Sequence, residues 1–261
     1  MKARTGAGAV AVLALTALPA HADLAEIKAR GSLRVLVSAD EQPEMYALNP
    51  GGAPGFDREI LDGFASLQRV RVETVVRPFD DIIGALLKGQ GDVIVGLVDT
   101  EARRRQIGFS VEVLPTRLVV LTRKPQPAIL KIEELRLARV GVVKGTSWVD
   151  AVSAAGVPAA QTELVPDLGD ALAGLKANRF AATVVSLVDG SLAIRKDAAL
   201  QAGLYLGTPG RAAYAARKDA PELLRALDEY LGNLQKTGTW SRLVVKYFGN
   251  DALAVLGRAK Q

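Results

Sequence analysis

The 261-residue chain contains no cysteine. That excludes a disulfide, a thiolate metal site and a lipid-anchored N-terminal cysteine. Its one histidine, His21, lies in a segment expected to be removed, so the mature chain has neither imidazole nor thiol. Ser-His-Asp and Cys-His catalysis are thereby excluded, and a zinc site is disfavoured. Aromatic residues amount to 5%, too few for a base-stacking platform. Charge is nearly balanced: the formal total is +5, and without Lys2 and Arg4 it is 31 basic against 28 acidic residues, or +3. Nothing in that balance argues for nucleic acid. No cofactor and no metal ion is expected.

The N-terminus carries an export pattern. Lys2 and Arg4 precede an apolar segment, Val10 to Leu18, and Ala20-His21-Ala22 forms an A-x-A cleavage site. That run is too short to span a bilayer, and no later run is long enough. Residues 1–22 read as a signal peptide, so the mature chain is expected to be exported, soluble and to start at Asp23.

Beyond it, strands and helices alternate. Ser32 to Val37, Arg71 to Val76 and Val93 to Val95 read as strands. Asp57 and Asp80 are expected to cap the helices between them, with apolar faces at Ile60, Leu61 and Phe64, and at Ile82, Ile83, Leu86 and Leu87. This β-α-β-α-β order predicts a parallel sheet with right-handed crossovers. After a strand at Leu118 to Thr122, Lys124-Pro125-Gln126-Pro127 reads as a linker. The pattern then begins again, with strands at Val140 to Val143 and Ala182 to Val185 and a helix capped by Asp167. Short extended pieces are expected at Tyr205 to Leu206 and at Ala212 to Ala216. Asp219 and Glu222 form a capping-box pattern around Pro221. The helix it opens has Leu223, Leu227, Leu231 and Leu234 on one face, and Trp240 to Phe248 forms a final amphipathic helix.

One stretch, Gly91 to Ser110, combines a short β-branched run, a turn at Gly96 to Asp99, and a charged helix opened by Thr100. A strand end, a turn and a helix start make a concave mouth of N–H groups, where α/β sheets bind small ligands. Arg103 lies one turn in, and its planar fork matches a carboxylate.

Several segments together resemble the periplasmic solute-binding proteins of ABC transporters, in the amino-acid-binding class (family 3). They are Gly55-Phe56-Asp57, Phe79-Asp80-Asp81-Ile82-Ile83, Thr100-x-x-Arg103 with Phe109-Ser110, Val142 to Ser147, and Lys246-Tyr247-Phe248-Gly249. The resemblance covers nearly the whole mature chain. It implies an α/β, two-lobe, type II fold, each lobe a mostly parallel sheet flanked by helices, with two hinge crossings at Leu118 to Arg123 and Arg211 to Ala216. Lobe 1 would be 23–122 plus 212–261, and lobe 2 would be 123–211. It further implies a monomer in the periplasm that takes a small carboxylate-bearing ligand to a membrane permease, with no chemistry of its own.

The same resemblance makes Arg103 the carboxylate clamp, with Arg104 as the substitute if the turn is reshaped. Thr100 either bonds ligand oxygen or only caps its helix. Gly96 and Val98 would supply main-chain contacts. Asp99 would take a ligand amine or serve the turn. Thr146 and Ser147 would hold the carboxylate from the second lobe, Trp148 packs in a core or shields the ligand, and Gln42 lies in the first loop. Ser186 stands where the family usually has the aspartate that receives the ammonium. Either Asp99, Glu41 or Asp189 supplies that acid, or the ligand has no α-amine. A periplasmic dehydratase of cyclohexadienyl type on the same fold, or an accessory sensor, are the alternatives.

Overall fold

The structure is a computed structural model that describes residues 23–49 and 51–260. The expected signal peptide, residues 1–22, lies outside the described residues. The elements run α1 (Leu24–Arg30), β1 (Ser32–Ser38), α2 (Phe56–Gln68), β2 (Arg71–Arg77), α3 (Ile82–Leu87), β3 (Val93–Val98), α4 (Glu101–Arg104), β4 (Gly108–Phe109) and β5 (Leu114–Arg123). They continue as α5 (Ile132–Leu137), β6 (Val140–Val143), α6 (Ser147–Ala154), β7 (Thr162–Val165), α7 (Leu168–Lys176), β8 (Ala182–Ser186), α8 (Leu187–Lys196) and β9 (Leu200–Ala216). Three helices end the chain: α9 (Pro221–Lys236), α10 (Thr239–Phe248) and α11 (Ala252–Ala259). Among the described residues, no helix is long and apolar enough to cross a membrane.

The strands lie in the order β2-β1-β3-β9-β5-β8-β6-β7, with β4 on β9. Parallel pairs form each end: β1 with β2 and β3, and β6 with β7 and β8. The antiparallel strands β5 and β9 join them. The apolar runs follow this order, because a strand covered on both faces reads as a continuous apolar segment. Val93, Ile94 and Val95 of β3 are buried, as are Val140, Val142 and Val143 of β6.

Two apolar cores follow the strand groups. Residues of β1, α2, β3, α9 and α10 build the first, with a satellite cluster under α3. Residues of β6, α7, β8 and the distal part of β5 build the second. Leu114 and Ala212 belong to the first core, Val119 and Leu206 to the second. The chain therefore passes between cores at Pro115 to Arg117 and at Gly207 to Arg211. The crossings expected at Leu118 to Arg123 and Arg211 to Ala216 are displaced by a few residues. The apolar runs at those places pack into cores, and small or polar residues make the passage. What reads as two short pieces near Tyr205 and Ala212 is one 17-residue strand, β9.

Four local readings need correction. Asp57 does not cap α2; its side chain is buried and accepts from the Tyr214 hydroxyl at 2.9 Å. Asp80 precedes α3 in a short 3₁₀ turn and pairs with Lys144 at 3.0 Å. The capping box at Asp219 and Glu222 does not form: α9 begins after Ala220, with no cap from its own segment. The cap is Asp23, whose carboxylate accepts from Leu223 N at 2.9 Å and Glu222 N at 3.4 Å while also accepting from Leu24 N at 2.7 Å. The terminal helix at Trp240 is followed by another, α11, whose Leu256 packs in the first core and Ala259 in the second. Thr100 and Asp167 cap α4 and α7 as expected.

One carboxylate thus caps two helices far apart in sequence. Asp23→Ala is expected to lower unfolding free energy by about 2 kcal/mol, the upper end for an N-cap. Urea denaturation measures it, and an unchanged midpoint would contradict the capping role.

Candidate functional site

A cavity of about 140 Å³ opens where the two cores meet. Its wall takes Ser38, Glu41 and Gln42 from the segment after β1, Gly96 and Val98 from β3, and Arg103 from α4. The crossing contributes Pro115 and Thr116; the second half contributes Thr146, Ser147, Trp148, Ser186 and Asp189. The sequence-predicted residues Arg103, Gly96, Val98, Thr146, Ser147, Ser186 and Gln42 therefore line one space. Thr100 and Asp99 do not.

Arg103 is 9% exposed. Its Nη1 donates to Val98 O at 2.8 Å, and the guanidinium carbon lies 5.7 Å from the centre of the Phe79 ring. Among the described residues no carboxylate pairs with it. Burial lowers its pKa and the charge of Asp150 opposes that, yet an arginine stays charged. The result is a desolvated cation whose remaining donors have no acceptor among the described residues. Such a group binds an anion strongly, because the partner supplies what desolvation removed.

β3 bends on the same wall of the cavity. The β3–β9 register shifts between Ile94 and Leu97, and Gly96 has φ +53. A side chain there would be strained, and its Cβ would lie 3.2 Å from Asp57 Oδ2. Glycine therefore lets the strand bend past the buried Asp57, whose Oδ2 has no partner. Burial pushes the Asp57 carboxyl up to about 7, against the hydrogen bond from Tyr214.

On the opposite wall, Thr146 caps α6: its Oγ1 accepts from Trp148 N at 3.3 Å and donates to Val143 O at 2.7 Å. That aims the first turn of α6, with Ser147, at the cavity. Trp148 belongs to the second core and also lines the cavity.

The third wall is acidic. Ser186 caps α8 and donates to Asp189 Oδ2 at 2.5 Å. Gln42 reaches across from the β1 side and donates to Asp189 Oδ1 at 2.7 Å. Glu41 beside it accepts from Gln42 N through Oε1 at 3.1 Å. Burial pushes the Glu41 carboxyl up to about 8, with repulsion from Asp189 and Asp57 adding to it. Burial also raises Asp189, against the hydrogen bonds from Ser186 and Gln42.

Asp99 is not in the wall. Its carboxylate is held by Arg104 and Arg211. Thr100 Oγ1 accepts from Arg103 N at 3.3 Å, which is its capping role. Arg104 points to Asp99 and not into the cavity, so Arg103 is the guanidinium in place. Sequence reasoning gave no site role to Phe79 or Thr116. Neither sits in a periodic pattern, and only folding brings them to the wall.

Known proteins similar to this chain point to its family. The chain is 26% identical over 263 residues to the L-cystine-binding protein TcyJ of Escherichia coli (strain K12), covering 96% of each. It is 28% identical to a membrane-bound lytic murein transglycosylase F of Ectopseudomonas mendocina (strain ymp), covering 98% of this chain and 55% of that protein. The chain thus spans about half the length of the transglycosylase relatives it matches. Its fold is similar to that of ArgBP from T. maritima (P235GK mutant), with TM-score 0.78, 28% identity and coverage of 87% and 99%. It is equally similar to the ancestral amino acid-binding protein AncCDT-1, a precursor of cyclohexadienyl dehydratase, with TM-score 0.78, 27% identity and coverage of 86% and 99%. The α/β fold is that of the two-lobe type II periplasmic binding proteins. Residues 33–250 match the bacterial extracellular solute-binding proteins, family 3, and the chain belongs to that family.

Proposed function

We propose that this chain is a periplasmic receptor that closes its two lobes, 23–114 plus 212–261 and 118–206, around a small carboxylate-bearing solute and delivers it to an ABC-transporter permease. It acts as a monomer and without covalent chemistry. The observation that carries this is the buried Arg103 guanidinium, with donors free toward the cavity. Gly96, Val98, Thr146 and Ser147 surround the carboxylate it holds, the α6 N-terminus adding N–H groups. Gln42 and Ser186 shape the far wall. Asp99 and Thr100 support the site from outside it. The acidic wall favours a ligand whose other end is a cation or a hydrogen-bond donor, with Glu41 and Asp189 in the place of the acid that Ser186 lacks. Relatives named for arginine and cystine binding support an amino acid as that ligand.

A second reading has one specific observation behind it. Glu41 holds its proton near neutral pH inside the cavity, as a general acid must. A dehydratase acting on prephenate or arogenate would use it so.

A thermal-shift screen of amino acids and organic acids tests the receptor. A true ligand at a hundredfold excess over its Kd adds about 2.7 kcal/mol of stability; a panel with no shift would count against it. Arg103→Ala is expected to weaken carboxylate binding by about 100-fold, the value of two charge-assisted hydrogen bonds, with only a small change in Tm. Equal loss of folding would remove its assignment. Turnover of prephenate or arogenate, abolished in Glu41→Gln, would replace the receptor by the enzyme.

Glu41 also sets a pH dependence. Its folded pKa, about 8, lies above the ordinary 4.5, so its contribution is fully present below 4.5 and is lost as pH rises toward 8. Asp57 acts in the same direction up to about 7. Unfolding free energy is therefore expected to fall from these groups over that window, and Glu41→Gln to flatten the profile. An identical profile in the variant would show that Glu41 is ionised throughout.

A further inference from the structure

Asp99 has a carboxylate with no exposed surface. It is also paired with two arginines. Arg104 reaches Oδ1 through Nε at 2.5 Å and Oδ2 through Nη2 at 2.9 Å. Arg211 reaches Oδ2 through Nε at 2.7 Å and through Nη2 at 2.6 Å. The Asp99 backbone N–H donates to Arg211 O at 3.0 Å. Burial would raise this carboxyl, but the hydrogen bonds from Arg104 and Arg211 outweigh it and hold the group below its usual range. With both arginines against it and no exposed surface, the carboxylate is not open to a ligand.

The position of these partners matters more than their strength. Arg104 is the neighbour of Arg103 on α4. Arg211 lies on the β9 crossing, opposite Pro115 of β5. Asp99 therefore ties the short helix that carries Arg103 to one of the two strands that pass between cores. α4 has only four residues, far too few to hold a helical direction by itself. The residues on either side of Asp99 act on the same group: Val98 O accepts from the Arg103 guanidinium and Thr100 Oγ1 from its backbone N.

We propose that Asp99 and Arg211 are positioning residues, which through Arg104 lock α4 so that the Arg103 guanidinium faces the cavity, and which make that orientation depend on the β9 crossing. This rests on Arg103 being the anion clamp. A bare acid at Asp99 would only repel an anionic ligand; neutralised by two arginines, it contributes geometry instead.

The test needs no ligand, so its result stands apart from whether a carboxylate binds. The Arg103 Nε–H resonance of the ¹⁵N-labelled chain, assigned by its loss in Arg103→Lys, is followed in Asp99→Asn and Arg211→Gln. Both are expected to shift it and to speed its exchange with solvent at least tenfold. Asp62→Asn, which breaks the surface pair with Arg58, is expected to leave it unmoved. A resonance and exchange rate unchanged in both variants overturns the proposal, even where Tm falls, because a merely stabilising ion pair would lower Tm alone. Should Asp99→Asn fail to fold, Arg211→Gln decides, since it breaks the same tie from a residue that is 37% exposed.

Discussion

A desolvated guanidinium with one protein acceptor is the constraint around which this molecule is arranged. Removing an arginine from water is unfavourable unless its donors are satisfied, and Arg103 satisfies one of them on Val98. Val98 and Thr100, just before it in the chain, accept from its guanidinium and its backbone N. Phe79 covers one face of the guanidinium, a favourable arrangement for a cation against an aromatic ring. The unmet donors face a cavity large enough for a small solute and far too small for a macromolecule.

The two cores and the crossings between them explain how such a cation remains accessible. Each half buries its own apolar residues, so the seam between halves does not need to be apolar. Its lining mixes hydroxyls, carboxyls and glycine with apolar side chains such as Met45, Leu114, Leu168 and Val188. The strands that cross there carry Pro115, Thr116, Gly207 and Gly210, residues that contribute little to either core. Side-chain bonds already span the seam: Gln42 to Asp189, Lys196 to Glu44 and Lys144 to Asp80. These are partly exposed polar contacts of modest strength.

The charge distribution in the cavity is polar in the literal sense. A cation stands on one wall and a group of carboxyls, two of them raised by burial, on another. A dipolar solute aligns with that field. A simple anion would gain from Arg103 and meet repulsion wherever Glu41 or Asp189 is ionised.

Much of this was legible in the chain itself. Apolar runs gave the strands, the 3- and 4-residue spacing of Leu223, Leu227, Leu231 and Leu234 gave α9, and Thr100 and Asp167 marked helix starts. All depend on neighbours within a few residues, which a sequence displays directly. Arg103 was legible for the same reason, through its distance from Thr100. Partners far apart in sequence were not. The cap of α9 comes from Asp23, and Asp99, one of three acids offered for a ligand amine, is paired with Arg104 and Arg211. The crossings were misplaced because the apolar runs beside them are conspicuous and the passages themselves are not. Tertiary structure alone decided which carboxyls face the cavity and which are neutralised behind it, because ionic pairing is set by proximity in space and local pattern is blind to it.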